Sequence, residues 1–135
     1  MEILSIEGSA VNPNVLFNPD ERYLEISGYS RPENARDFYM ALIQWIDEYK
    51  VSIVKNLEAN TSSGIVVINF KFIYFNSSSA KFINDILMVF KEMQNSNIPI
   101  EVNWFYDQDD DELREAGEEF SDMSNIPFNY LEIAH

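Results

Sequence analysis

With 135 residues, 46% of them hydrophobic and 14% aromatic, the chain is long enough to bury a core without disulfide or metal staples and too apolar to be disordered. Its 23 acidic against 9 basic residues give a formal net charge of −14, which repels phosphate backbones and anionic lipid, so nucleic acid and membrane are not expected partners. The lack of cysteine removes disulfides, thiolate nucleophiles and thiolate metal sites, and the single histidine, His135, is the last residue, where a catalytic base would be poorly held.

The opening "MEILSIEGSAVNPN" has neither a basic n-region nor an apolar run of signal-peptide length, and nothing later reaches a spanning length of roughly 20 apolar residues. A single domain over residues 1–135, kept in the cytoplasm, is expected. "EILSI" and "VLFNPDERYLEISG" are short apolar segments broken by "NPN" and "NPDER", which predicts a β-hairpin or meander over residues 3–28. In "SRPENARDFYMALIQWIDEY", Ser30 and Glu33 have capping-box spacing and Pro32 suits a first helical turn. Ala35, Phe38, Leu42, Trp45, Ile46 and Tyr49 then recur at helical spacing. "KVSIVKNLEA" either carries this helix through Ile53 and Leu57 to "NTSSG", giving about 27 residues in all, or follows a break near Lys50.

"GIVVINFKFIYF" is β-branched and aromatic and reads as a central strand, more deeply buried at its start. After the serines of "FNSSS", Phe82, Ile83, Ile86, Leu87 and Phe90 share one helical face, and "NSNIP" closes the segment. "IEVNWFY" alternates, with Ile100, Val102, Trp104 and Tyr106 on one side of a strand. A third helix is predicted from about Asp110 to Phe120, and "PFNYLEIA" supplies a last strand. The order ββαβαβαβ argues for an α/β sandwich, a mixed sheet covered by helices. Trp45, Trp104, Tyr74 and the phenylalanines are assigned to its core.

The junction from Asn76 to Ser79 falls at the carboxyl end of the central strand, a favoured place for function in α/β sheets. Asn76, Ser77 or Ser78 can cap the following helix by accepting hydrogen bonds from its orphan N–H groups, and one residue suffices for that. A surplus hydroxyl would stand at the positive end of the helix dipole, where a phosphate is tolerated. Nothing near Ser77 in sequence could activate it, for there is no histidine and Lys81 lies a turn further on. If the hydroxyl reacts, another protein performs the chemistry.

The strings "ISGYSRPENARDFY", "IQWIDEY", "IYFNSSSAK" and "NWFYDQDDDELREAGEEF" together resemble the SiaC-type family of bacterial regulatory phosphoproteins, which is similar in turn to the STAS domains of anti-sigma-factor antagonists. The likeness runs from about Ile6 to Phe128. It implies a STAS-like sandwich and no catalytic residue, cofactor or metal. It implies phosphorylation of Ser77, the residue after the junction Asn, by a cognate Ser/Thr kinase, reversal by a PP2C-type phosphatase, and exchange of a target protein, in some members a diguanylate cyclase. The recognition surface so implied comprises Asn76, Ser78, Ser79 and Lys81, bordered by Arg31, Glu33 and Asn34. The connection "KVSIVKNLEANTSSG" between Tyr49 and Ile65 is longer than the family pattern.

"DQDDDELREAGEEFSD" holds nine acidic residues from Asp107 to Asp122, with Arg114 the only base. Asp107, Asp109, Asp111 and Glu118 match the ligand spacing of an EF-hand loop, but Glu112 replaces the turn glycine and a strand precedes instead of a helix. A solvated acidic face at a helix start is the ordinary reading. The shared pattern adds a docking role for Asp109, Asp110 and Asp111. Two competing functions remain at this point, a metal-dependent enzyme built on the 107–122 carboxylates and a constitutive scaffold or ligand-binding module of the same fold.

Overall fold

The structure, a computed structural model, describes residues 1–58 and 64–134, and the side chains of residues 57 and 58 are not among those described. The expectations for Leu57, for a helix stop at 60–63 and for His135 therefore lie outside the described residues. The elements are β1 (Leu4–Ile6), β2 (Asn14–Asn18), β3 (Tyr23–Ser30), α1 (Ala35–Glu58), β4 (Val66–Phe75), α2 (Ser77–Asn95), β5 (Ile100–Asp107), α3 (Asp111–Ser124) and β6 (Phe128–Ile133). The meander has three strands and not two, because "NPDER" splits the second apolar segment into β2 and β3.

One six-stranded sheet runs in the order β1-β2-β3-β4-β5-β6. The first three strands are antiparallel, and β3 to β6 are parallel neighbours. Each parallel crossover steps the same way along the sheet, so crossovers of the usual right hand put all three helices on one face. This is the STAS-like mixed sandwich, covered on one side. The buried strand residues form two cross-sheet rows beneath the helices. Val15, Ile26, Phe70 and Trp104 are one row, and Phe17, Leu24, Ile68, Val102 and Phe128 the other.

Toward the opposite face, three asparagines stand side by side on β4, β5 and β6. The Asn129 amide donates to Asn103 Oδ1 at 3.0 Å, and the Asn103 amide donates to Asn69 Oδ1 at 2.8 Å. Asn69 donates onward to the Tyr23 hydroxyl at 3.1 Å, which donates to Glu25 at 2.6 Å.

Helix α1 is unbroken through Lys50 and buries Tyr39, Leu42, Ile46, Tyr49 and Ile53. Ser30 does not cap it. The strand β3 runs on to Ser30, opposite Phe75, and the cap falls to Asn34, whose Oδ1 accepts from Asp37 N–H at 3.1 Å. Helix α2 buries all five of the predicted apolar residues. Helix α3 starts after Asp110, whose carboxylate accepts from Leu113 N–H at 3.0 Å, and runs one turn past Phe120 to an αL residue, Asn125.

The pairing of β3 with β4 slips between Gly28 and Tyr29, so that Gly28 faces Phe72 and Tyr29 faces Tyr74, leaving Ile73 as an extra residue. Such a bulge reverses the alternation. Phe72 and Phe75 both turn to the core, where their rings meet Trp104, while Ile73 and Tyr74 both turn out. Tyr74, expected in the core, is 48% exposed for this reason. No helix among the described residues is long and apolar enough to cross a membrane.

Candidate functional site

At the β4–α2 junction the chain leaves the strand at Phe75 and enters the helix at Ser77 with only Asn76 between them. Asn76 takes extended backbone angles, φ −93° and ψ 172°, and its Oδ1 accepts from Ser79 N–H at 2.9 Å. Its carbonyl accepts from Ser79 N–H and Ala80 N–H at 3.1 and 3.2 Å. The cap is therefore filled by Asn76 alone. Ser77 and Ser78 are exposed, and neither hydroxyl has a hydrogen-bond partner among the described residues. Their N–H groups lie in the first turn, outside the helical ladder.

Ser79 does the opposite. It was expected on the partner surface, but its side chain is fully buried. Its hydroxyl donates to the Ser30 carbonyl at 3.2 Å, and the Ser30 hydroxyl donates to Ser79 Oγ at 2.8 Å. Each hydroxyl has one proton, so the Tyr39 hydroxyl must be the donor in its short hydrogen bond to Ser30 Oγ. Burial pushes Tyr39 up to about 12, against the opposing effect of the Ser30 and Ser79 hydroxyls, and keeps the phenol neutral. The Ser30 carbonyl also accepts from Asn76 N–H at 3.0 Å. A buried chain of hydroxyls thus ties the end of β3, helix α1 and the first turn of α2 together beneath Ser77. No buried side-chain polar atom among the described residues is left without a partner.

The remaining expected residues fall around this end of the sheet. Lys81 is largely exposed, lies over the Phe82 ring at 4.7 Å and pairs with Asp85 at 3.5 Å. Arg31 follows the end of β3, donates from Nε to the Ala10 carbonyl at 2.9 Å and covers the Tyr29 ring at 5.1 Å. Glu33 is exposed. Asn34 is occupied as the α1 cap, with its amide donating to Asp37 at 2.8 Å. Asp109 and Asp111 are exposed, whereas Asp110 is partly buried and caps α3. Among the described residues no three His, Cys, Asp or Glu side chains gather closely enough to hold a metal ion. The EF-hand spacing fails because Asp107 accepts from Asp109 N–H at 2.9 Å in a tight turn, after which α3 fans the later carboxylates around its axis.

A family model described as SiaC family regulatory phosphoprotein matches residues 6–133. The chain belongs to that family. An uncharacterized protein of Pseudomonas aeruginosa strain UCBPP-PA14 is 27% identical over 128 residues, 95% of this chain and 94% of that protein. A solved structure of SiaC of Pseudomonas aeruginosa superposes with a TM-score of 0.80 at 25% identity and covers 100% of both chains. SiaC in the crystal structure of the diguanylate cyclase SiaD in complex with its activator SiaC, also from Pseudomonas aeruginosa, superposes at 0.81 with 24% identity, covering 98% of this chain and 99% of that one. As a SiaC-family member the chain is a regulatory protein in signalling and not an enzyme, which removes the metal-dependent reading of the 107–122 carboxylates. The residue that sequence reasoning missed at the site, Tyr39, gave no local signal, since it reads as helix core.

Proposed function

We propose that this chain is a partner-switching regulator acting as one domain in the cytoplasm. Its unphosphorylated Ser77 face binds a target, and a cognate Ser/Thr kinase ends that binding by phosphorylating Ser77. A PP2C-type phosphatase restores it, and the target is a diguanylate cyclase, as SiaD is for SiaC. The observation that carries the reading is the surplus of Ser77: Asn76 completes the cap, so the serine hydroxyl is free for chemistry that the fold does not need. The electrostatics support it. The first turns of α1 and α3 contain acidic residues, but that of α2 contains none, although the chain carries a net charge of −14. The positive end of the α2 dipole is thus left for an incoming phosphate. A phosphate adds a charge of about −1.5 to −2 and breaks an interface by repulsion and desolvation without unfolding the domain.

Asn76, Ser78, Lys81, Arg31, Glu33 and Asn34 form the rim of the recognition surface in this reading, and Ser79 supports it from inside. The test is incubation with the cognate kinase and ATP, followed by intact-mass analysis and peptide mapping. One phosphate on Ser77 is expected, and modification elsewhere with Ser77 untouched would sink the assignment. Target binding separates the switch from a constitutive scaffold: Ser77→Ala should bind and Ser77→Asp should not, whereas a scaffold is indifferent to both.

A further inference from the structure

Beside the Ser77 junction the sheet opens into a fork. The β4–β5 ladder ends at Phe70 and Trp104, while β4 continues beside β3 to Phe75 and β5 continues beside β6 to Asp107. The start of α3 lies across the gap. Phe75, Leu113 and Ala116 line the groove so formed, and the bulge after Phe72 sets Ile73 and Tyr74 on one rim, 59% and 48% exposed. Asp110 and Glu112 stand on the other. Single exposed apolar side chains are ordinary, but two adjacent ones beside an apolar floor mark a contact surface.

The charges decide what fits. No base lines the groove, and the one base of the acidic segment, Arg114, is turned to Glu118 at 3.5 Å. Asp109 and Asp111 flank the anionic rim in sequence. A second copy of the chain would bring its own net charge of −14 against this rim, so like-charge repulsion disfavours it. A cationic occupant gains on the same terms.

We infer that the groove docks a segment of a partner protein in which an aliphatic or aromatic anchor is flanked by Lys or Arg. The anchor covers Ile73 and Tyr74, and the bases meet the rim of Asp110 and Glu112. The inference rests on this end of the sheet being the recognition end. It does not need Ser77 to be the phosphoacceptor.

Fluorescence anisotropy with three short labelled peptides tests it: a single Leu flanked by Lys and Arg, the same peptide with Ala for Leu, and the Leu flanked by Glu. Each is titrated with the full chain and with its Ile73→Ser and Leu131→Ser variants, both first shown to be folded. Leu131 is an exposed apolar residue on β6, 38% exposed, and serves as the control. The basic Leu peptide should bind the unaltered chain and Leu131→Ser alike. Removing either the anchor or Ile73 should weaken it about tenfold, the size of a modest hot spot. The Glu-flanked peptide should not bind. Equal binding of the Ala peptide would mean attraction to net charge alone, and equal losses in Ile73→Ser and Leu131→Ser would mean no defined groove; either overturns the inference. So does tight binding of the Glu-flanked peptide, no binding of any peptide, or a homodimer in sedimentation that Ile73→Ser dissolves. The kinase assay on Ser77 is read by mass, so failure of the groove and failure of the switch are separately visible.

Discussion

If Asn76 alone caps α2, replacing it and replacing its neighbour must have opposite effects. Asn76→Ala removes the acceptor of the 2.9 Å bond from Ser79 N–H, and loss of such a cap costs ~0.5–2 kcal/mol. Ser77→Asp adds a negative charge one residue further on, at a helix start without an acid, where the dipole interaction is worth ~0.3–1 kcal/mol in favour of folding. The nearest charges on the helix, Lys81 and Asp85, are paired at 3.5 Å and largely cancel. For 135 residues the unfolding entropy is about 0.28 kcal/mol per degree, so Asn76→Ala should lower Tm by ~2–7 °C and Ser77→Asp raise it by ~1–4 °C. Differential scanning calorimetry at low salt measures both. The gain in Ser77→Asp should shrink as ionic strength rises, because an exposed charge is screened. A fall of several degrees in Ser77→Asp would refute the reasoning, since Ser77 would then be packed inward, out of a kinase's reach.

Tyr39 should make stability fall at alkaline pH. Its native value is raised from 10.0 to about 12, so the unfolded state loses this proton first; the stabilisation is complete below pH 10 and disappears as pH approaches 12. Urea melts at pH 9, 10 and 11 should show a shallower decline in Tyr39→Phe, with a residual slope from Tyr23, Tyr49 and Tyr130, which are also raised. At neutral pH the same variant should lose ~1–2 kcal/mol, as Ser30 loses a buried donor. Gly117→Ala should destabilise by ~1–3 kcal/mol despite the better helix propensity of Ala, because its Cβ would lie 2.5 Å from Trp104 Cδ1. A gain in its urea midpoint would contradict the observed packing.

Signals with a short period were legible in the sequence. The stripes of α1 and α2, the alternation in β5 and the surplus of polar residues at the junction needed only neighbouring residues, and the elements from α1 onward appeared in order, behind a meander of three strands where two were expected. What was misread depended on distant partners. Ser30 has ideal capping-box spacing to Glu33, yet β3 extends through it because Phe75 pairs with it, and that pairing is set 45 positions away in the chain. Ser79 looks like its two neighbours until Ser30 and Tyr39 come beneath it, 49 and 40 positions earlier in the chain. Tyr74 follows the alternation of β4 only as far as the bulge, where the register with β3 slips at Gly28, a strand glycine with φ +90°. The even step from Asn76 to Ser77 hid the division of labour between cap and reactive hydroxyl.

The asparagine row on the uncovered face has a consequence for how the parallel strands find their alignment. Apolar alternation punishes a strand that slides by one residue, since every side chain changes face, but a slide by two restores the pattern and passes that check. The amides do not let it pass. If β6 slid by two, Asn103 would face Leu131 or Pro127 in place of Asn129, and if β5 did so, Asn69 would face Glu101 or Phe105 in place of Asn103. Either error breaks an amide–amide bond of the row. The row therefore works as a vernier: the core sets the strands to within an even number of residues, and three side chains outside the core select among the even settings.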